Sequence, residues 1–340
     1  MEHQTQTMAP LFQVENVSIA YKTKRGPLQA VKGASFSIGD QEAVALIGES
    51  GCGKTTLATS IVRALPNAAS VTEGKMLFRQ ADGTCCNILD LSQKELRKIL
   101  WEQISMVFQA SQSSFNPVKR IKTQFIDTVK AHKPGKSREE IMERARELLR
   151  IVMLDPDKVL ESYPHEISGG MKQRTLIALS LLLEPRLIIL DEPTTALDLL
   201  TQEKILKLLN ELKKQFGFSL LFITHDLGIV SELADSVVTM YAGRVVERAP
   251  VAEFFNHPRH PYSKGLINAI PRLTMDSSEL YSIPGSPPDM IDAAPGCPFA
   301  PRCGHCVQKC REEMPPLECV GEDGHVCACW NPMMGGTEHE

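Results

Sequence analysis

The stretch that decides the fold is Gly48-Glu49-Ser50-Gly51-Cys52-Gly53-Lys54-Thr55. It fits G-x-x-x-x-G-K-[ST], a loop whose backbone N–H groups surround a polyphosphate. The pattern of a buried strand precedes it over residues 42–47, and a helical pattern follows from Thr56. The phosphates would therefore lie at the positive end of a helix, with Lys54 facing the β- and γ-phosphates and Thr55 offering its hydroxyl to Mg²⁺. We predict a nucleotide-binding loop between a strand and a helix.

Composition and charge indicate a globular protein without a nucleic-acid partner. The 340 residues are 43% hydrophobic and carry a net charge of -4, which gives no general attraction to nucleic acid. The amino-terminal residues lack the features of a signal peptide, and residues 184–186 interrupt the most apolar run, 176–190. A membrane span needs about 20 apolar residues. We expect a cytosolic protein whose membrane role depends on partners.

Polar residues follow three predicted buried strands. The strand over residues 104–109 ends at Gln109, the strand over 187–192 ends at Asp191 and Glu192, and the strand over 218–223 precedes His225. The carboxyl ends of parallel strands meet at one edge of a sheet, where ligands bind. Paired acids after a strand are often only a helix start, and a lone histidine is usually structural. Beside a phosphate loop, however, we expect Asp191 to hold Mg²⁺ and Glu192 to polarise water.

Two further features bear on the site, and a third marks a helix boundary. Ser168 and two glycines precede an apolar helix predicted over residues 175–183, which creates a second helix N-terminus able to accept an anion. Tyr21 ends an alternating strand ahead of the phosphate loop, where a core aromatic is the default interpretation. The helical periodicity of residues 121–154 breaks at 133–137, with Ser137 as the predicted N-cap.

Over about residues 11–250, these motifs and their order resemble the nucleotide-binding subunit of an ABC transporter. The motifs are the phosphate loop, Gln109, Ser168-Gly169-Gly170-Met171-Lys172-Gln173, Leu190-Asp191-Glu192, Leu197-Asp198 and His225. The resemblance implies an α/β fold with a RecA-like core, an antiparallel β subdomain and a helical subdomain at about residues 110–180.

The resemblance also implies a role for each residue. Glu192 would be the general base, His225 would position the water and the γ-phosphate, and Gln109 would sense that phosphate. The nucleotide would contact Tyr21, Gly48, Glu49, Ser50, Gly51, Cys52, Gly53, Lys54, Thr55, Thr56 and Asp191, and Mg²⁺ would contact Thr55, Gln109 and Asp191. Ser168, Gly169 and Gly170 would contact the ATP of a second ATPase subunit.

Within that family, the sequence is similar to the oligopeptide/dipeptide permease ATPases. The similarity lies in Ser114-Phe115-Asn116-Pro117, Tyr163-Pro164-His165-Glu166 and His257-Pro258-Arg259-His260-Pro261-Tyr262, while Met171 is similar to the first of that system's two ATPase types. This implies a peripheral protein at the cytoplasmic face of the cell membrane. Its partners would be a second, similar ATPase, two transmembrane permease subunits and an extracytoplasmic solute-binding protein. The alternatives are import of nickel, a metallophore or another small solute, or a soluble non-transport ABC ATPase.

One departure from the family pattern, Ala110-Ser111-Gln112, leaves open how the loop meets the membrane subunit.

The carboxyl-terminal part has a different composition. Proline and glycine become frequent after Pro250, so we predict domains at 1–250 and 251–340. Seven of the ten cysteines lie between Cys297 and Cys329, which in a reducing compartment indicates a metal site. Their spacing does not separate Zn²⁺ from an iron–sulfur cluster, and free thiols are the other alternative. The family resemblance favours a [4Fe–4S] cluster on Cys297, Cys303, Cys310 and Cys329, with Cys327 as the alternative fourth ligand.

Overall fold

A computed structural model describes residues 9–109, 114–194, 197–270, 282–291, 295–321 and 324–333. The departure at Ala110-Ser111-Gln112 lies outside these ranges. The strands are β1 (Phe12–Thr23), β2 (Gly26–Ile38), β3 (Ala43–Ile47), β4 (Ala69–Arg79), β5 (Cys85–Asn87), β6 (Ile104–Val107), β7 (Leu187–Asp191), β8 (Ser219–Ile223), β9 (Ser236–Tyr241), β10 (Arg244–Pro250), β11 (Glu318–Cys319) and β12 (Val326–Cys327). The helices are α1 (Lys54–Ile61), α2 (Gln93–Ile99), α3 (Ile121–His132), α4 (Arg138–Ile151), α5 (Pro156–Glu161), α6 (Gly169–Ser180), α7 (Leu199–Phe216), α8 (Leu227–Leu233), α9 (Val251–Asn256), α10 (Pro261–Asn268) and α11 (Gln308–Glu312).

The larger sheet positions the site. Its strand order is β11-β12-β10-β9-β3-β8-β7-β6, and the strands from β9 to β6 pair in parallel. Strands β3, β7 and β8 are buried at every position, as expected for apolar strands covered on both faces. Parallel pairing brings the carboxyl ends of β3, β6, β7 and β8 to one edge of the sheet.

The smaller sheet is antiparallel, with the order β2-β1-β4-β5. Its apolar side chains share a core with one face of the larger sheet and with α1; examples are Phe12 and Phe78, both completely buried. The antiparallel β subdomain that the family resemblance implies is therefore present.

Helices α3 to α6 contribute to a second apolar core, on the other face of the larger sheet. The predicted N-cap of α4 is confirmed: Ser137 Oγ accepts from the N–H of Glu140 at 3.1 Å, and the Glu140 carboxylate accepts from the N–H of Ser137 at 2.7 Å. Helix α6 begins at Gly169, earlier than the predicted residue 175. The sequence pattern did not predict this first turn of the helix, because its two glycines are poor helix formers.

The segment after Pro250 is joined to the larger sheet. Strand β12 pairs with β10, and β11 pairs with β12, so these two short strands extend the sheet at its edge. A buried polar contact lies at this junction, where Glu247 Oε1 is 2.6 Å from His325 Nε2. The domain division near residue 250 stays a prediction. Within the described ranges, no helix combines the length and apolar character needed to cross a lipid bilayer.

Candidate nucleotide-binding and catalytic site

The phosphate loop connects β3 to α1 and needs glycine at two positions. Gly48 and Gly53 have φ values of 145° and 105°. A Cβ atom would lie 2.2 Å from the Met240 carbonyl oxygen at position 48, and 2.4 Å from that of Ala30 at position 53. Any side chain would therefore displace backbone, which explains why these positions carry glycine. Helix α1 begins at Lys54, within the last two residues of the loop, so its first N–H groups are available to an anion.

Lys54 lies inside the loop. Its side chain is buried, and its amino group donates to the carbonyl oxygens of Gly48 and Glu49 at 2.8 and 2.9 Å. The Sγ atom of the buried Cys52 lies 3.7 Å from the same nitrogen, and burial raises the pKa of the Cys52 thiol. The loop therefore holds a positive charge beside a neutral thiol.

A pocket beside the loop brings together most of the predicted nucleotide contacts. Ser50, Gly51 and residues 53–56 line it, as do Tyr21, Gln109 and Glu192. The hydroxyl groups of Tyr21 and Thr56 are 3.1 Å apart, which is within hydrogen-bonding distance. This placement of Tyr21 is compatible with the predicted contact between Tyr21 and the nucleotide.

Gln109, Glu192 and His225 come from the ends of three parallel strands and meet at the same edge. The amide nitrogen of Gln109 donates to Glu192 Oε2 at 2.9 Å, and His225 Nδ1 lies 3.5 Å from Glu192 Oε1. Glu192 also has a positive φ of 49°, a strained conformation for a residue other than glycine. This carboxylate thus lies between an amide and an imidazole, next to the phosphate loop.

Thr55 and Asp191 form the arrangement expected of a Mg²⁺ site. Thr55 Oγ1 donates to Asp191 Oδ1 at 3.2 Å, and Asp191 is 1% exposed. Burial raises the pKa of Asp191, and Oδ2 has no hydrogen-bond partner among the described residues. An orphaned buried carboxylate oxygen beside a hydroxyl is a donor set that suits Mg²⁺, which prefers hard oxygen ligands and also takes substrate phosphates.

The Ser168-Gly169-Gly170 turn occupies a different place. Ser168 Oγ accepts from the N–H of Met171 at 3.4 Å and caps α6. None of these three residues is among the described residues that line the pocket. This arrangement is compatible with the expectation that they act on another subunit's nucleotide.

Three residues at the site were not predicted, and all three belong to the segment after Pro250. Arg302 pairs with the Glu49 carboxylate, Tyr262 contacts the Glu49 backbone, and Met290 lines the pocket. Glu49 was predicted to contact nucleotide, whereas its side chain is directed to the extension. Arg302 stands in the stretch Cys297-Pro298-Phe299-Ala300-Pro301-Arg302-Cys303, where a charged residue among prolines was the available signal.

The predicted cysteine ligands lie near one another in the extension. The Cys297 N–H donates to the Cys310 carbonyl at 2.7 Å, and burial, with Cys310 and Cys329 nearby, raises the pKa of the Cys297 thiol to about 11. Cys327 and Cys329 share a hydrogen bond that lowers the pKa of Cys329. In the part of the chain that the structure describes, no group of three or more His, Cys, Asp or Glu residues could hold a metal ion. The prediction of a metal-binding extension is therefore not supported.

Comparison with known families shows which family the chain belongs to. The family described as "ABC transporter" matches residues 31–195, and the one described as "Oligopeptide/dipeptide transporter, C-terminal region" matches residues 246–310. The chain belongs to the ABC transporter ATPases, enzymes whose hydrolysis of ATP is coupled to transport. The predicted family and the α/β cassette fold are thereby confirmed.

Its relatives include two peptide-transport subunits. It is 42% identical over 322 residues to the dipeptide transport ATP-binding protein DppD of Caldanaerobacter subterraneus subsp. tengcongensis, covering 95% of this chain and 97% of the relative. It is 39% identical over 335 residues to the oligopeptide transport ATP-binding protein OppD of Salmonella typhimurium, covering 97% and 98%. The dimeric, post-hydrolysis structure of the ATP-binding cassette MJ0796 bound to ADP and Pi has a TM-score of 0.62 at 29% identity, covering 71% of this chain and 98% of that one.

Proposed function

We propose that this chain is the ATP-hydrolysing subunit of an ABC importer that takes up di- and oligopeptides. The main support for ATP hydrolysis at this site is the position of Glu192. Its carboxylate lies between Gln109 and His225 and beside the phosphate loop. The relatives named for dipeptide and oligopeptide transport match nearly the whole chain, including the extension, and this supports the peptide cargo.

In this proposal Glu192 is the general base. Its carboxylate accepts a proton from the attacking water, while His225 and Gln109 orient the water and contact the γ-phosphate. Lys54 and the N-terminus of α1 bind the phosphates and stabilise the charge that develops on them. Thr55 and Asp191, with Gln109, would hold Mg²⁺, which supplies charge neutralisation at the β- and γ-phosphates. Tyr21 would stack on the base.

Hydrolysis in this proposal requires a second ATPase. Ser168, Gly169 and Gly170 present a helix N-terminus but do not line the described pocket of their own chain. They would close the site of a second, similar subunit, as the dimeric form of MJ0796 supports. The assembled pair would act on two transmembrane subunits, supplied with cargo by an extracytoplasmic solute-binding protein, so this chain would be peripheral at the cytoplasmic face.

Affinity purification from gently solubilised membranes tests this assignment. We expect two multi-spanning subunits, a second ATPase and a solute-binding protein to co-purify with a tagged chain. Ligands bound to the solute-binding protein identify the cargo. Bound peptides would support the proposal, whereas nickel, a metallophore or another small solute would change the assigned cargo and leave the importer function standing. Recovery of ribosomes or of soluble factors alone would contradict the importer function and favour a soluble ABC ATPase.

We also propose that Cys297, Cys303, Cys310 and Cys329 are the ligands of a [4Fe–4S] cluster, with Cys327 as the alternative fourth. A cluster binds each thiolate at a different iron atom, so its ligands do not converge on one point as those of a zinc ion do. The support is the mutual proximity of these thiols, which raises the pKa values of Cys297 and Cys303 in addition to burial. Anaerobically purified protein should contain about four iron and four sulfide per chain; zinc without iron, or no metal, would contradict the proposal.

A further inference from the structure

The extension that follows Pro250 reaches back to the phosphate loop. The guanidinium group of Arg302 makes two parallel hydrogen bonds to the Glu49 carboxylate, from Nη1 to Oε2 at 2.8 Å and from Nη2 to Oε1 at 2.9 Å. The Arg302 side chain is only 5% exposed, against 25% for that of Glu49. A two-point, desolvated pair of this kind is stronger and more directional than a surface ion pair.

Arg302 is itself fixed by its surroundings. Its Nη1 donates to the Tyr241 hydroxyl at 3.1 Å, and its Nε donates to the Pro284 carbonyl at 2.7 Å. The guanidinium also lies 5.9 Å from the centre of the Phe299 ring. The hydrogen bonds to Glu49 raise the pKa of Arg302 further above its usual value, so the group is always charged. A rigid positive charge therefore faces the loop.

The backbone of Glu49 is held as well. Its N–H donates to the Tyr262 hydroxyl at 2.7 Å, and its carbonyl oxygen accepts from the Lys54 amino group at 2.9 Å. Tyr262 is completely buried and contacts the ring of Phe299, with 5.4 Å between the ring centres. The extension thus holds both the side chain and the backbone of one residue in the phosphate loop.

A separate contact brings the extension to the pocket itself. Met290 lines the same pocket as Tyr21 and Lys54. The neighbouring Asp289 forms an ion pair of 2.9 Å with Arg25, which follows β1. The extension therefore approaches the nucleotide site from two directions.

We propose that Arg302 is a positioning residue of the nucleotide site: it neutralises the Glu49 carboxylate and fixes the loop that receives the triphosphate. The inference rests on the proposed binding of ATP by that loop. ATP is highly anionic, and an unpaired carboxylate in the loop would repel it. Arg302 removes this repulsion without touching the nucleotide. Substrate binding by the phosphate loop then depends on a side chain about 250 residues away in the sequence.

The following experiment distinguishes charge neutralisation by Arg302 from a contact that only holds the extension against the loop. The dissociation constant of a fluorescent ATP analogue is measured for the wild type, Arg302→Gln, Glu49→Gln and the double variant, with Arg311→Gln as an exposed control in the same extension. We expect Arg302→Gln to bind about tenfold more weakly, since it leaves one bare charge near the phosphates. The double variant should return to the affinity of Glu49→Gln, and Arg311→Gln should bind as the wild type does.

A second readout is how the dissociation constant of each variant depends on ionic strength. The loss in Arg302→Gln should shrink as salt is added, because salt screens the repulsion. Unchanged binding by Arg302→Gln, or a double variant as weak as Arg302→Gln, would overturn the inference while leaving ATP binding intact. Absence of saturable binding by the wild type would instead overturn the proposed function together with the inference. Circular dichroism spectra confirm that each variant is folded.

Discussion

The amide nitrogen of Gln109 donates a hydrogen bond of 2.9 Å to the carboxylate of Glu192, across the ends of two neighbouring parallel strands. Both side chains also line the pocket beside the phosphate loop. The residues proposed as the sensor of the γ-phosphate and as the general base are therefore in direct contact. A displacement of one side chain should therefore alter the position of the other.

The first prediction concerns Glu192. Replacing it with Gln keeps the side chain's size and removes its ability to accept a proton, so phosphate release should fall by about 10²-fold or more while ATP binding persists. An ATP-bound dimer should accumulate, detectable by size-exclusion chromatography. Glu203→Gln, on the exposed face of α7, is the matched control. Normal turnover by Glu192→Gln would exclude Glu192 as the base.

The second prediction concerns Ser168. Ser168 and Ser137 both cap a helix through their hydroxyl groups, so Ser168→Ala and Ser137→Ala should each cost about 1 kcal/mol of stability. Only Ser168→Ala should also lower ATP hydrolysis, because only Ser168 would contact the nucleotide of a second subunit. Equal hydrolysis rates in the two variants would contradict the role assigned to the α6 N-terminus.

The third prediction concerns Mg²⁺. Asp191→Asn removes the buried charge beside Thr55, so the Mg²⁺ concentration that gives half-maximal hydrolysis should rise about tenfold or more. Binding of ATP without Mg²⁺ should not weaken, since a negative charge near the phosphates has been removed. An unchanged Mg²⁺ titration would mean that Asp191 is not a ligand.

The fourth prediction concerns the junction of the extension with the sheet. The Glu247 carboxylate is fully buried and accepts from His325 and from the N–H groups of Arg259 and His260. Glu247→Gln breaks a buried pair and should lower the free energy of unfolding by about 3 kcal/mol. Glu161→Gln, in an exposed ion pair, should change it by less than about 1 kcal/mol. Urea titration followed by tryptophan fluorescence measures both, and equal midpoints would contradict the prediction.

The catalytic half of the site could be predicted from the sequence because its residues follow motifs of short range. Gln109, Glu192 and His225 each end a buried parallel strand, and parallel pairing alone brings such ends together. The helix start at Gly169 was missed because a serine cap and tertiary packing outweigh the low helix propensity of two glycines.

The contacts of the extension could not be predicted in the same way. The pair of Arg302 and Glu49 joins residues far apart in the sequence, and no local pattern indicates which carboxylate a buried arginine meets. The same holds for β12, a two-residue strand too short to show alternation, which adds to the sheet only because β10 leaves an edge open.

The most direct test of the importer assignment is uptake by the assembled complex. Proteoliposomes containing this chain and its co-purified partners, with ATP inside and solute-binding protein outside, are given a labelled dipeptide. We expect ATP-dependent uptake with the wild-type chain and its loss, with peptide-stimulated hydrolysis also lost, when Glu192→Gln replaces it. Uptake that continues undiminished with Glu192→Gln, or hydrolysis indifferent to peptide, would contradict the proposal that this site powers peptide import.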